Sequence, residues 1–490
     1  MDRLVFVRHP AEREFRAIRI TLWATFAAIL AALLVYSQTI AFAWDEGFHL
    51  LAALLIVHGK RPYADFVFAQ APLNAYWNAA LVKLFGNTWR APHAAAAIET
   101  LGAVVLTTGY ILRRFPLPEW RFRLGIVTAA FVGLNILVFQ FGSIAQPYAL
   151  CLLLMVSAFR LAVLAAERRS LVLTVLSGIA VGAAAACTLL SAPEGVVLLI
   201  WLVWRARSGR RISTSAALIA GEILGLGPLL VPLLRWPKQV IFDVVGYHIF
   251  YRQAEWDGWW SHDLILFTTW LDSVQVFVLL GLGLAGLIFV RRSNWDSAVR
   301  SEFYLCAWLA AVLSAYVATA HPTFRQYFVV AVPFVAILAT AGCYAIVRHS
   351  SKPWAFAIVV AIVAAGLGRT LYDESDNMDW SDFDALVKEV NSVTPKDGPL
   401  GADESVYFLS GRIPPPGLEW TSGHKIDMPM DRARPLHVMP QKELDRQVKA
   451  SAFTTFETCY DSEVDRLGLD RIYGQKKEVD DCYVFWDRRH

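Results

Sequence analysis

Asp45 and Glu46 stand side by side just after an apolar run, residues 20–36, broken only by Thr21 and Thr25. That run is long enough to approach a membrane span, and acids at the mouth of a span are costly to bury. They either end the span in water or serve a site at the membrane rim. A carboxylate partly withdrawn from water gains basicity, which suits it to take a proton from a hydroxyl. Asp65 offers a second acid, or else stabilises the turn after Pro62. Arg252 and Arg325 offer fixed charge and planar donors of the kind that hold a phosphate. Together these types fit attack of a hydroxyl on a centre with a phosphate leaving group. Outside a cell membrane there is no nucleotide supply, so an activated group would have to arrive on a lipid carrier.

The elements that must position these residues are helices in a bilayer. The chain has 490 residues, 56% of them hydrophobic and 18% charged. Soluble proteins carry nearer ~25% charge. Long apolar runs recur up to residue 367, about eleven in all, centred near Ala27, Val104, Ala130, Leu154, Ala180, Leu199, Gly225, Val278, Ala311, Ala336 and Ile362. Loops holding Arg13, Arg16 and Arg19, then Arg113 and Arg114, Arg168 and Arg169, Arg205 and Arg207, Arg291 and Arg292, and Arg348 alternate with loops poor in Lys and Arg. The positive-inside bias puts the first set and the N-terminus in the cytoplasm, with Asp45, Glu46 and the C-terminal part outside. Ala41-Phe42-Ala43 has the form of a signal-peptidase site. The preceding run exceeds the usual ~7–15 residues, however, and cleavage would leave Asp45 almost at a free N-terminus.

The expected architecture is an all-α polytopic membrane protein over residues 1–370, with a small extracytoplasmic α/β domain over residues 371–490. The second part holds 15 Lys plus Arg against 24 Asp plus Glu, while the first carries the basic excess behind the overall +3. That excess is scattered over short loops and gives no nucleic-acid signal. Within the outer loop 41–90, residues 47–57 and 72–85 read as short amphipathic helices lying along the interface. The loop 235–263, with Tyr247, Tyr251, Trp256, Trp259 and Trp260, reads as an aromatic belt at headgroup depth or as part of a lipid groove. In the tail, residues 382–390 look helical, 406–409 and 483–486 look like strands, and 411–417 form a loop.

Cys459 and Cys482 share the outside part, where an oxidising compartment allows them to pair. Cys151, Cys187, Cys306 and Cys343 sit in spans as packing residues. Gly281, Gly283 and Gly286 suit close helix contact. No metal-ligand spacing and no P-loop is present. Glu46 and His49 stand i, i+3, so a divalent metal is conceivable but not signalled, and no cofactor is expected.

Trp44-Asp45-Glu46-Gly47, Gly59-Lys60-Arg61-Pro62-Tyr63-Ala64-Asp65-Phe66, Gln70-Ala71-Pro72-Leu73-Asn74-Ala75-Tyr76 and Phe85-Gly86 resemble the first outer loop of GT-C glycosyltransferases. The similar members are the protein O-mannosyltransferase and lipid A aminoarabinose transferase branch. Phe324-Arg325-Gln326-Tyr327, running on to Pro333, is similar to that branch's tyrosine-and-proline helix entry. The resemblance implies transfer of a sugar from a polyprenyl-phosphate donor to a glycan, lipid or protein acceptor, by a multi-pass protein of the inner membrane. It implies Asp45 as base beside Glu46. Tyr63, Asp65, Gln70, Tyr148, Arg252, Arg325 and Tyr327 become candidate substrate contacts, with Arg325 and Tyr327 on the donor phosphate. Gln70 stands where many relatives have Lys or Glu, Gln326 replaces a common His, and Gln146-Pro147-Tyr148 begins a helix where a basic residue is often seen. The alternative is a transporter or flippase of lipid-linked glycans. It would place ionisable residues at mid-bilayer and show repeated halves; Glu99 and Glu222 are the chief mid-helix acids here.

The alternation of Arg-rich loops predicts that a reporter fused after His490 works only if it is one that functions outside the cytoplasm. Activity of a cytoplasm-dependent reporter at that point would invert the topology.

Overall fold

The computed structural model describes residues 12–42, 45–255, 258–348, 354–373, 380–450 and 452–489, so Trp44 and Trp256 lie outside the described residues. Among them, seven helices are long and apolar enough to cross a membrane: Arg16–Thr39, Arg90–Arg114, Tyr148–Arg168, Val274–Arg292, Ser297–Val317, Arg325–Val347 and Trp354–Tyr372. Ser208–Gly225 and Gly227–Arg235 make an eighth when joined, bent by 67°. The three other expected centres, Ala130, Ala180 and Leu199, fall on the shorter helices Arg121–Gly133, Leu171–Cys187 and Pro193–Arg205. Each is short for a visible reason. The first gives way at Asn135, whose side chain accepts from Leu137 N and Val138 N and starts a new helix, Ile136–Phe141. The other two meet at a turn where Thr188 is extended and Pro193 opens the next helix. That turn borders the cavity described below, so both helices stop at it.

The Arg-rich loops gather at one end of the bundle. Arg113 and Arg114 pair with Glu167, Arg114 also forks onto Glu302, and Tyr110 donates to the same Glu302 at 3.2 Å. Elsewhere in the bundle, the Val274–Arg292 and Val332–Val347 helices meet backbone to backbone. A methyl group on Gly286 would lie 2.0 Å from the Leu338 carbonyl, and one on Gly342 1.9 Å from that of Leu282. Of the three glycines expected to serve close contact, Gly286 does so, whereas a methyl on Gly281 would meet open space.

The C-terminal residues fold around a four-stranded sheet in the order β1-β2-β4-β3. Its strands are β1 (Leu400–Gly401), β2 (Thr455–Thr458), β3 (Tyr473–Val479) and β4 (Cys482–Arg488). β1 runs parallel to β2 and the other pairs are antiparallel, with Phe456 opposite Phe485 and Val479 opposite Cys482. The expected helix lies within Trp380–Val393, and the expected strand 483–486 within β4. Residues 406–409, expected as a strand, belong instead to the helix Glu404–Ser410. Asp403 caps its start by accepting from Ser405 N at 2.9 Å, and Gly411 in the left-handed region ends it. Four apolar residues in a row fit either element, and the caps decide. Cys459 and Cys482 form a disulfide.

The two short helices of the first outer loop stand where expected, at Glu46–Val57 and Leu73–Phe85. The second leaves Trp77, Leu84 and Phe85 exposed, as an interfacial helix does. The first does not lie on the interface. It is buried from Glu46 to Leu55, beneath the C-terminal residues. Its apolar side chains share one core with Val406, Tyr407, Phe408, Trp420 and Phe485. Trp380 stacks on Trp89 with centroids 3.6 Å apart, Asn87 donates to the Phe408 carbonyl at 2.8 Å, and Tyr247 sets its edge against Trp420 at 4.6 Å. Tyr247 is thus packed in protein rather than at headgroup depth.

Contact between the two regions is closest at Gly47, where a methyl group would fall 2.3 Å from Ser405 Oγ and 2.9 Å from Ser405 N. Gly47→Ala is expected to destabilise the protein by roughly 1–3 kcal/mol, the range for overpacking. Thermal unfolding in detergent measures it, and Ser405→Ala should relieve part of the loss.

Candidate active site

The site is framed by a buried hydrogen-bond chain. The Glu46 carboxylate is fully buried. It accepts from Ala145 N at 2.8 Å and from the His93 Nε2 side of the ring, whose Nδ1 meets the Ser37 carbonyl. Asn74 and Asn78 both donate to the Ala145 carbonyl, at 3.1 and 2.8 Å. Five segments are thereby tied together: the end of the first span, the two short helices, the start of the second span and the loop before Tyr148. A second set fixes residues 66–71. Phe68 N donates to Asp243 at 2.9 Å, His248 Nε2 donates to the Ala69 carbonyl at 2.8 Å, and the Tyr63 hydroxyl donates to the Gln70 carbonyl at 2.6 Å.

Between these two frames lies a cavity of about 400 Å³. Asp45, His49, Gln70, Gln146, Tyr148, His248, Arg252, His321 and Tyr327 line it, with the turn Thr188, Leu189 and Leu190 as an apolar wall. Arg252 donates to the Tyr327 hydroxyl, and its guanidinium lies 5.0 Å from the Phe324 ring centroid. Asp45 opens onto the cavity yet is surrounded by protein mass. That burial raises its carboxyl above the ordinary value of 3.8, against the opposing charges of Arg252 and Lys425. Burial also lowers His49 from 6.5 to about 4, and burial with the charge of Arg252 lowers His248 to about 4. Both imidazoles are therefore neutral at pH 7.

The cavity brings together five of the nine residues singled out from the sequence: Asp45, Gln70, Tyr148, Arg252 and Tyr327. Four lie elsewhere. Glu46 is committed to His93 and Ala145. Tyr63 is buried, takes a positive φ of 68°, and acts on the cavity only through the backbone of Gln70. Asp65 forms an ion pair with Arg61 at 2.9 Å, which holds its carboxyl below the ordinary range. Arg325 places its guanidinium 5.9 Å from the Phe141 ring centroid, outside the cavity lining. Sequence reasoning passed over His321 and took His248 only as one of the ring-bearing residues of the loop 235–263; neither gives a motif. The signal that points to them is density of polar aromatics: both belong to outer segments that also supply Arg252 and Tyr327.

Glu46 and His49 do not converge on a metal position, since Glu46 is already engaged. Among the described residues, the one group of His, Cys, Asp or Glu ligand atoms that converges is Glu457, Cys459 and Cys482, and its two sulfurs are joined in the disulfide.

No protein-family model matches the sequence, and no curated protein matches it significantly. Among solved structures, the chain is similar to ArnT from Cupriavidus metallidurans bound to undecaprenyl phosphate. The TM-score is 0.63 at 14% identity, over 94% of this chain and 97% of the other. The chain shares the ArnT fold. The fold implied by the first-loop motifs is thus met, over nearly the whole chain.

The two depressed histidines predict a pH response. A group whose folded pKa is about 4 and whose unfolded pKa is near 6.5 binds its proton preferentially in the unfolded chain. Its contribution is complete above pH 6.5 and is lost as pH falls towards 4, by up to roughly 1.4 kcal/mol per pH unit for each imidazole. His49→Leu should therefore lose less melting temperature than wild type between pH 6.5 and 4.5.

Proposed function

We propose that the chain is an integral membrane glycosyltransferase. It moves a sugar from a polyprenyl-phosphate donor to an acceptor hydroxyl on a glycan, lipid or protein on the extracytoplasmic side of the inner membrane. The observation that carries this reading is the cavity itself. It sets a carboxyl of raised basicity, Asp45, in the same enclosed space as a cation and a phenol, Arg252 and Tyr327. The shared fold with a protein solved in complex with undecaprenyl phosphate supports the lipid-phosphate class of donor.

The proposed step is an in-line displacement at the anomeric carbon. The acceptor oxygen forms its bond to that carbon as its proton passes to the Asp45 carboxylate. The bond from the same carbon to the phosphate oxygen breaks, and the electron pair leaves with polyprenyl phosphate. Arg252 and Tyr327 stabilise the departing charge by charge-assisted hydrogen bonds. Arg252 takes the role first expected of Arg325, because Arg252 and Tyr327 meet in the cavity and Arg325 does not line it. Gln70 and Tyr148, also on its wall, are assigned to the sugar or its acceptor. Tyr63 and Asp65 support the loop that carries Gln70.

Incubation of the purified protein with a panel of polyprenyl-phosphate sugars, scored by release of polyprenyl phosphate, tests the class of reaction. A transporter or flippase releases none. In the same assay Asp45→Asn should lower turnover by ~10²-fold or more while donor binding persists. Near-full turnover in that variant would remove Asp45 from the role of base.

A further inference from the structure

His321 stands at the cavity wall with a supporting acid behind it. Its Nδ1 lies 2.7 Å from Asp263 Oδ2. A carboxylate accepts, so the Nδ1 proton belongs to this bond and the ring presents Nε2 as its remaining polar atom. Asp263 is itself buried and held: its Oδ1 accepts from Thr323 N at 2.6 Å, with His262 Nδ1 3.4 Å away. The Trp259 ring packs on the imidazole with centroids 4.5 Å apart, which fixes the plane of the ring. Two elements distant in sequence, the helix Trp259–Asp272 and the loop after Ser297–Val317, thus converge on one side chain that is still a third exposed.

The ring shares a wall with the phosphate groups proposed above. Phe324 packs against His262 at 5.1 Å and against Tyr327 at 5.7 Å, and Arg252 lies over the same Phe324 ring. One aromatic side chain therefore spaces the Asp263 cluster from the Arg252–Tyr327 pair. Arg252, Tyr327 and His321 nonetheless line one cavity, so a phosphate held there by the guanidinium and the phenol has the imidazole edge on the same wall. A phosphate at the free edge would take its hydrogen bond from Nε2–H while Nδ1–H stays on Asp263.

We propose that His321 binds the phosphate of the lipid-linked donor and that Asp263 is the positioning residue that orients it. This rests on the lipid-phosphate reading of the cavity. It adds a third contact to those of Arg252 and Tyr327, which restricts the orientation of the phosphate and of its bond to the sugar.

The test is equilibrium binding of undecaprenyl phosphate and of undecaprenol to the purified full-length protein. Asparagine reproduces the Nδ1 end of histidine and glutamine the Nε2 end, so the two variants separate support from binding. His321→Ala and His321→Asn should weaken undecaprenyl phosphate by about tenfold or more, the usual cost of a hydrogen bond to a charged group, and leave undecaprenol unchanged. His321→Gln should keep most of the affinity, and Asp263→Asn should lose part of it for the phosphate alone. A purely structural histidine gives the reverse order, with Asn tolerated and both lipids weakened together, and that result overturns the proposal. So does wild-type affinity in His321→Ala. If the unmodified protein itself binds undecaprenyl phosphate no better than undecaprenol, the lipid-phosphate reading fails as well, which distinguishes the two failures.

Discussion

A single buried carboxylate holds the cavity end of this protein together. Glu46 has no access to water, and its partners come from residue 93, near the start of the second span, and residue 145, in the loop before Tyr148. An unpaired buried charge costs several kcal/mol, so each partner is needed for the others to stay in place. The same bonds fix where Asp45 sits, because Asp45 is the residue from which the Glu46–Val57 helix begins. The carboxylate that looks most like a catalytic twin is thus the one that anchors its neighbour. Placement of Asp45 and integrity of the bundle depend on one set of hydrogen bonds.

Much of this was legible in the sequence because it rests on patterns longer than a residue. The apolar runs placed the helices, the Arg clusters gathered at one end, and the two short helices of the first loop kept their limits to within a residue. Assignments between neighbouring residues were not legible. Asp45 and Glu46 are adjacent, and one step along a helix turns the side chain by about 100°, so they face different surroundings. Arg325 and Tyr327 open the 3-10 segment Arg325–Ala331, with about three residues per turn. Two steps there carry Arg325 well away from the face of Tyr327. The cation that meets Tyr327 comes from position 252, seventy-five residues away, and no local spacing announces that. Burial of the Glu46–Val57 helix was equally hidden, since the cover arrives from residues 404–420.

The cavity's electrostatics follow from its walls. Protein mass favours neutral forms, so it lifts Asp45 and depresses His49 and His248 together. Arg252 keeps its charge because a guanidinium does so in proteins. The outcome is a space where one fixed cation faces a carboxyl of increased basicity, and where polar groups act at a strength that bulk water would not allow. The three unexpected positions, at 70, 146 and 326, are all glutamines, and all three line this space. They supply hydrogen bonds without adding charge. A cavity poorer in fixed charge than the sequence resemblance suggested is consistent with a ligand whose recognition is spread over hydroxyls.

The shared core of the Glu46–Val57 helix and the C-terminal residues also bears on how the protein is made. The helix is synthesised within the first eighth of the chain, and the side chains that cover it lie in the last fifth. Until those residues are made, the flank that meets residues 404–420 lacks that cover, although the helix already packs on Phe66, Phe68, Ala75 and Val82. Nascent protein therefore carries a partly covered hydrophobic helix until the final hundred residues emerge. A premature stop before them leaves one flank of that helix uncovered. Burial of the helix that carries Glu46 thus waits for the last part of the chain to be made.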